Sequence, residues 1–321
     1  MINNLVKVLK NNYGLDGKLK ISLFRESPDN LTYFVNSEGK GKYMLRVSRR
    51  EVGKDVLFEL SALKKLYDLK VPVVPPVSQV NGSLFVEIKR ARRVCVLFKF
   101  VEGEHEKIDK DTKPLLTRAR SAGKALGFLH NCSSSLNLVK ERKSRNIYTE
   151  LNRVGNNINR FLFVYMDSEE FISQVSGYMK WASEQEDKIG LINNDYRPGN
   201  VFFNKDEVVA ILDFDWSCVG PLIKDVALGA VEWSYPDGAD GQWHDVFESF
   251  IDGYNSKSTI KVNINNHLYK WMAFACLSDA STYFCDLLEE EGLSEKRQLK
   301  SYMYKKFKLF LLSILWRAGI S

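Results

Sequence analysis

The sequence predicts an α+β fold in two unequal parts, a small antiparallel β-rich lobe followed by a larger, mainly α-helical one. Three observations carry this expectation. Apolar and polar residues alternate in short runs up to about residue 100. After Gly103 the apolar residues recur instead at the spacing of one helix face. Between the helical stretches lies a short strand-like segment, residues 191–213, that holds an ordered set of Asp and Asn residues. The pattern divides the chain into residues 1–100, a β-rich lobe, and residues 101–321, an α-rich lobe, with a connector near Phe98–Gly103.

Each element follows from local chemistry. Lys18–Phe24 and Leu31–Val35 alternate on either side of the turn residues E-S-P-D-N, and Lys42–Val47 follows the glycine-containing turn S-E-G-K-G-K. Asp55–Leu69 places Val56, Leu60, Leu63 and Tyr67 on one helical face. Prolines at 72, 75 and 76 forbid a helix over Val71–Pro76 and hold it extended. Ser83–Lys89 and Arg93–Phe100 read as two further strands, completing a small sheet with one helix inserted. In the second part, Lys113–His130 carries Leu116, Ala119, Gly123, Leu126 and Leu129 or His130 near one face. Asp167–Asp187 reads as another helix, with Asp167 and Glu170 as a capping box and Phe171, Val175, Tyr178 and Ala182 as its stripe. From Ile223 onward the chain is mostly helical, with no internal repeat.

Composition narrows the function classes. An apolar content of 45% with 27% charged residues belongs to a globular chain, not one dominated by disorder. The net charge is +6, but the basic residues are dispersed apart from small groups such as Lys89–Arg93 and Lys305–Lys308. Groups of that size read as solvated faces, so no nucleic-acid partner is expected. The five cysteines are odd in number and contain no C-x-x-C pair, which points to free thiols in a reducing, cytoplasmic compartment. The start, M-I-N-N-L-V-K-V-L-K, is too polar for a secretory signal. The longest apolar run near the C-terminus, Leu309–Trp316, is broken by Ser313 and falls far short of the ~20 residues of a membrane span. The four histidines show no zinc spacing.

The chemistry is concentrated between Asn193 and Asp225. The segment reads N-N-D-Y-R-P-G-N-V-F-F, a polar break, then V-V-A-I-L-D-F-D-W-S-C-V-G-P-L-I-K-D. An Asp, an Asn five residues later and an Asp closing the next apolar run are what phosphoryl transfer needs. Asp195 has the chemistry to accept the proton of an attacking hydroxyl, and Asn200 and Asp213 to hold Mg²⁺ across a nucleotide's phosphates. Taken singly, Asp195 reads first as a loop-capping residue, and Asp213 and Asp215 have turn capping as an alternative. The ordered set, with a hairpin between its halves, favours the catalytic reading.

With those residues in place, the chain resembles the aminoglycoside phosphotransferase and choline kinase group, which includes bacterial homoserine kinases and has a bilobal protein-kinase-like fold. The resemblance covers nearly the whole chain, is most specific over Asn193–Asp225 and is weakest between Asn131 and Gly190. It implies ATP and Mg²⁺ as cofactors and a small-molecule hydroxyl as acceptor, in a monomer or homodimer. It matches Asp195 to the catalytic Asp, Asn200 to the metal-binding Asn and Asp213 to the Asp that bridges metal and phosphates. Asp225 matches a structural Asp downstream. Arg46, in Y-M-L-R-V, stands where the phosphate-pairing cation lies, with Glu59 as its helix partner ahead of Glu51 and Asp55. Ser27 and Asn30 fall in the phosphate loop, and Phe98, Phe100 and Val101 in the hinge that reads adenine. Arg197 lies two residues after Asp195, within reach of the transferred phosphate. Glu232, Trp233 and Tyr235 would line an amine-binding substrate cleft, with a core position as the alternative for both aromatics.

The chain departs from the family pattern in two places. Asn193 replaces the His that opens the catalytic loop, which implies altered packing with the chemistry kept. No glycine lies between Phe24 and Val35, so a glycine cradle for phosphates is absent. Two alternatives keep the same fold: a protein Ser/Thr kinase, which the missing A-P-E element disfavours, and a non-catalytic nucleotide-binding protein, which the intact acidic set disfavours. Among acceptors, the resemblance offers homoserine, amino alcohols, aminoglycosides and other sugars.

Overall fold

The computed structural model describes residues 2–27, 30–48, 53–88, 93–109, 111–133, 136, 142, 144–160, 168–236, 241–289 and 302–317. It has the expected α+β architecture. Strands β1 (Leu19–Glu26), β2 (Asn30–Ser37), β3 (Gly41–Ser48), β4 (Val86–Ile88) and β5 (Arg93–Lys99) form one antiparallel sheet in the order β1-β2-β3-β5-β4.

Alternation along the strands sorts their side chains onto two faces. Leu31, Tyr33, Val35, Leu45, Val47 and Leu97 point one way and are buried. The pattern singles out no element before Lys18, and the structure adds one. Helix α1 (Ile2–Tyr13) lays Leu5, Leu9 and Tyr13, spaced four apart, on that face. On the opposite face, α2 (Gly53–Asp68) packs Val56, Leu60, Leu63 and Leu66 with Val94 and Val96. Leu66 takes the place expected of Tyr67, which is 50% exposed. Arg46 pairs in register with Thr32 and Val96, and Met44 with Phe98, so this second face also supplies the roof of a cleft.

The rest of the chain is mainly helical: α3 (Leu116–Ser133), α4 (Thr149–Asn156), α5 (Ser168–Ser183), α6 (Leu222–Ser234), α7 (His244–Lys257), α8 (Asn266–Glu289) and α9 (Tyr302–Arg317). Helix α3 starts three residues later than its apolar pattern, after Pro114. Phe171, Val175 and Ala182 are buried as expected of α5, while Asp167 of the expected capping box lies outside the described residues. Among the described residues no helix is long and apolar enough to cross a membrane. Cys95, Cys218, Cys276 and Cys285 are buried free thiols, and Cys132 is half-buried.

Two small sheets frame the region of interest. Strand β7 (Ile189–Ile192) pairs antiparallel with β10 (Cys218–Pro221). Strands β6 (Glu104–His105), β8 (Val201–Asn204) and β9 (Glu207–Ile211) form the other, with β8 and β9 as the expected hairpin. The loops after β7 and after β9 therefore emerge side by side. The proline segment ties this region to the first sheet: Ile211 N–H donates to Pro72 O at 2.6 Å, and Val73 bridges Ile211.

Candidate active site

Asp195 sits in the loop after β7, and that loop is held from below. The Asp225 carboxylate, in the first turn of α6, accepts from the Asn193 N–H at 2.8 Å and the Asn194 N–H at 2.7 Å. Asp225 is fully buried, and its Oδ2 lies 3.3 Å from His130 Nε2. On the far side of that ring, Tyr254 Oη is 3.0 Å from His130 Nδ1. Charge-assisted bonds of this kind contribute about 1.5–3 kcal/mol each, so the loop is a rigid platform.

Asn193 joins the two halves of the motif. Its side-chain amide donates to Leu212 O at 3.3 Å and Asp213 O at 3.2 Å, and its oxygen accepts from the Asp195 N–H at 3.1 Å. A single neutral side chain thus performs the scaffolding that the resemblance assigns to His. Asn194 and Asp213 both have left-handed backbone, with φ of 66° and 57°. Asn and Asp adopt that region more readily than other non-glycine residues.

Around Asp195 the polar groups converge. Arg197 donates to Asp195 Oδ1 through Nε at 2.6 Å, and Asn200 Nδ2 donates to Oδ2 at 2.8 Å. Arg197 also reaches Asp279 of α8 at 3.4 Å. Burial pushes the Asp195 carboxyl up to about 6, Arg197 opposes that shift, and Asp279 adds to it. Asp213 and Asp215 are neighbouring carboxyl groups that shift each other in opposite directions. Burial and the neighbouring Asp215 charge raise Asp213 well above the usual carboxylate range, whereas the hydrogen bond from Asp213, with Arg46 behind it, holds Asp215 down.

The other expected residues fall as follows. Arg46 and Glu59 form a bidentate pair, with Nη1 to Oε1 at 2.8 Å and Nη2 to Oε2 at 2.6 Å, and Glu59 is buried. Arg46 also stacks 5.5 Å from the Phe98 ring centroid. Of the competitors, Glu51 lies outside the described residues. Ser27 closes its turn through Asn30, and Asn30 Nδ2 donates to Asp215 Oδ2 at 2.8 Å, so this loop is tied to the D-F-D segment. Phe98, Phe100 and Val101 line the cleft beneath the sheet. Trp233 is fully buried between Phe203 and Phe250, and Tyr235 packs on Phe310. Neither aromatic lines the cleft, so the core alternative describes both. Glu232 lies near enough to Asp279 to raise its pKa.

Two cavities meet at these residues. The larger, about 400 Å³, runs under the sheet between Met44, Val74, Phe98, Phe100, Phe202 and Ile211. The smaller, about 200 Å³, opens among Arg145, Thr149, Lys224, Ser278 and Asp279. Asp195, Asn200 and Asp213 belong to the walls of both. The smaller cavity was largely illegible in sequence. Its one available signal was a lone acid, Asp279, in the otherwise apolar run A-F-A-C-L-S-D-A of α8.

The chain is similar to known proteins in sequence and in fold. The chain is 24% identical over 232 residues to the homoserine kinase of Rhodopseudomonas palustris (strain ATCC BAA-98 / CGA009), covering 70% of this chain and 66% of that protein. It is 23% identical over 265 residues to the homoserine kinase of Phenylobacterium zucineum (strain HLK1), covering 79% and 76%. Among solved structures, an amicoumacin kinase in complex with AMP-PNP and Ca²⁺ superposes with a TM-score of 0.73 at 14% identity, covering 97% of this chain and 92% of that one. A choline kinase of Cryptosporidium parvum superposes with a TM-score of 0.70 at 13% identity, covering 100% and 98%. These likenesses show a bilobal, protein-kinase-like fold. Residues 20–254 match the phosphotransferase enzyme family, and the chain belongs to it.

Proposed function

We propose that this protein transfers the γ-phosphoryl group of ATP to a hydroxyl of a small, amine-bearing molecule. The carrying observation is the meeting of two cavities at Asp195, Asn200 and Asp213. The larger, roofed by the sheet and lined by Phe98, Phe100 and Val101, suits a nucleotide between the lobes. The smaller suits the acceptor. Its 200 Å³ is below the roughly 300–1,000 Å³ of pockets for drug-sized ligands.

In this reading Asp195 takes the acceptor's hydroxyl proton as the new O–P bond forms and the bond to ADP breaks. A carboxyl raised to about 6 suits that task, because its basicity lies close to working pH. Arg46, clamped by Glu59, and Arg197 set positive charge against the phosphates. Asn200 and Asp213 are suited to Mg²⁺. The Asn200 nitrogen is used by Asp195, leaving its amide oxygen as donor, and the Asp213–Asp215 pair is a buried negative centre whose Asp215 Oδ1 accepts no hydrogen bond. Two such oxygen donors, completed by phosphate and water, are a normal Mg²⁺ set. When bound, the ion neutralises charge on the β- and γ-phosphates. Asp279 offers a carboxylate to the acceptor's amine.

The test is Mg²⁺-dependent ATP consumption across homoserine, choline, ethanolamine, aminoglycosides and simple sugars, with Asp195→Asn beside the wild type. The expected result is stimulation by one amine-bearing class and a loss of about 10²–10⁴ in kcat in the variant. An Asp195→Asn protein with wild-type turnover would overturn the assignment.

A further inference from the structure

The acceptor cavity holds a guanidinium that the proposed phosphoryl transfer does not use. Arg145 precedes α4 and lines the smaller cavity but not the larger. Of the other charged groups of that wall, Arg25 also lines the larger cavity, and the following are already engaged. Arg197 lies between Asp195 and Asp279, Glu150 accepts from Arg153 at 2.6 Å, and Lys224 donates to Asn194 Oδ1. Arg145 instead lies over the Trp216 ring, its Cζ 4.0 Å from the ring centroid. Among the described residues it forms no ion pair within 4 Å, although its charge helps hold Asp215 down, and its Nη1 is shielded from solvent without a hydrogen bond. A buried guanidinium N–H is costly to leave unmatched, and a planar fork is the preferred receptor for a carboxylate.

We infer that Arg145 is the specificity-determining residue for an anionic group on the acceptor, and that this group is a carboxylate. Arg197 reaches only Oδ1 of Asp279, so its Oδ2 can take an ammonium in the same cavity, and the acceptor class becomes a hydroxy amino acid in place of a simple amino alcohol. The inference rests on the phosphotransferase reading above, to which it adds the residue that reads the acid group. The contact with Trp216 consumes none of the guanidinium's N–H donors.

The test uses a matched pair of acceptors: homoserine and 3-aminopropan-1-ol, which is homoserine without its carboxylate. Wild type, Arg145→Gln and Arg145→Lys are each assayed with both. The expected result is a wild-type preference for homoserine of about 10- to 100-fold in kcat/KM, as charge-assisted hydrogen bonds imply. Arg145→Gln abolishes that preference by raising the KM for homoserine. It leaves 3-aminopropan-1-ol turnover, the KM for ATP and the melting temperature unchanged, and Arg145→Lys restores part of the preference. Equal losses on both acceptors, or a raised KM for ATP, overturn the inference and make Arg145 a support for Trp216 or a nucleotide ligand. A wild type that phosphorylates 3-aminopropan-1-ol as well as homoserine also overturns it, while leaving the phosphotransferase reading intact. Should neither acceptor be phosphorylated, the phosphotransferase reading is what fails for this pair, and titration calorimetry then decides the residue's role. Homoserine binding that disappears in Arg145→Gln supports the inference, and its absence in the wild type overturns it.

Discussion

Asn193 concentrates the logic of the site in one side chain. It donates to the carbonyls of Leu212 and Asp213 and accepts from the N–H of Asp195, so it sets the distance between the proposed base and the proposed metal ligand. A neutral His at this position would present one donor and one acceptor, whereas the amide presents two donors and an acceptor. Asn193→Ala is expected to leave three part-buried backbone groups unmatched, at up to about 1–3 kcal/mol for each before water or relaxation offsets it. Urea unfolding should show a clear fall in stability. The kcat should drop at least tenfold with the KM for ATP little changed, because the variant loosens the loop and not the nucleotide cleft. Full activity in Asn193→Ala would show that Asp225 alone holds the loop.

At the scale of elements, the platform beneath the loop depends on how closely α3 and α7 cross. A Cβ added to Gly123 would meet Phe250 O at 2.0 Å, and one added to Gly253 would meet Arg120 O at 2.0 Å. The two backbones touch there, and this contact lets α3 supply His130 and Ala122 to the site. Tyr196, next to Asp195, donates to Ala122 O at 2.7 Å. Gly253→Ala is therefore expected to force the helices apart and cost about 3 kcal/mol, the upper end for overpacking. Its readouts are a lower midpoint in urea and a lower kcat from a displaced Tyr196. An unchanged midpoint would show that the crossing relaxes without strain. Gly123 was legible in the sequence only as a small residue on an apolar face. The strands of the first sheet were legible because their period-two alternation reports which face is buried. Helix α1 was not, since only Leu5, Leu9 and Tyr13 are buried among polar neighbours and its contacts lie on strands more than 15 residues away. Asp195, Asn200 and Asp213 were legible because one short stretch of chain carries them. Asp279 and Arg145 reach the same cavity from separate elements, and no local pattern in sequence records that convergence.

For the whole molecule, the proposed nucleotide site joins regions that share few other hydrogen bonds among the described residues. Arg46, Phe98 and Phe100 come from the sheet, Asp195, Asn200 and Asp213 from the loops of the helical part, and Asn30 to Asp215 is a direct hydrogen bond between them. A ligand that contacts both sides stabilises the folded chain by mass action, about 2.7 kcal/mol at a concentration 100 times its Kd. ATP with Mg²⁺ is therefore expected to raise the melting temperature more than either ATP with EDTA or Mg²⁺ alone. Asp213→Asn is expected to abolish the Mg²⁺-dependent part of that shift and to retain a smaller ATP-dependent part through Arg46 and the apolar cleft. Arg46→Ala should do the reverse, weakening the shift by ATP whether or not the ion is present. Removing Arg46 also strands the buried Glu59 carboxylate, so each shift is read against the variant's own ligand-free melting temperature. Equal shifts with and without Mg²⁺ in the wild type would remove Asp213 from the metal site while leaving the nucleotide cleft where the sheet and the loops define it.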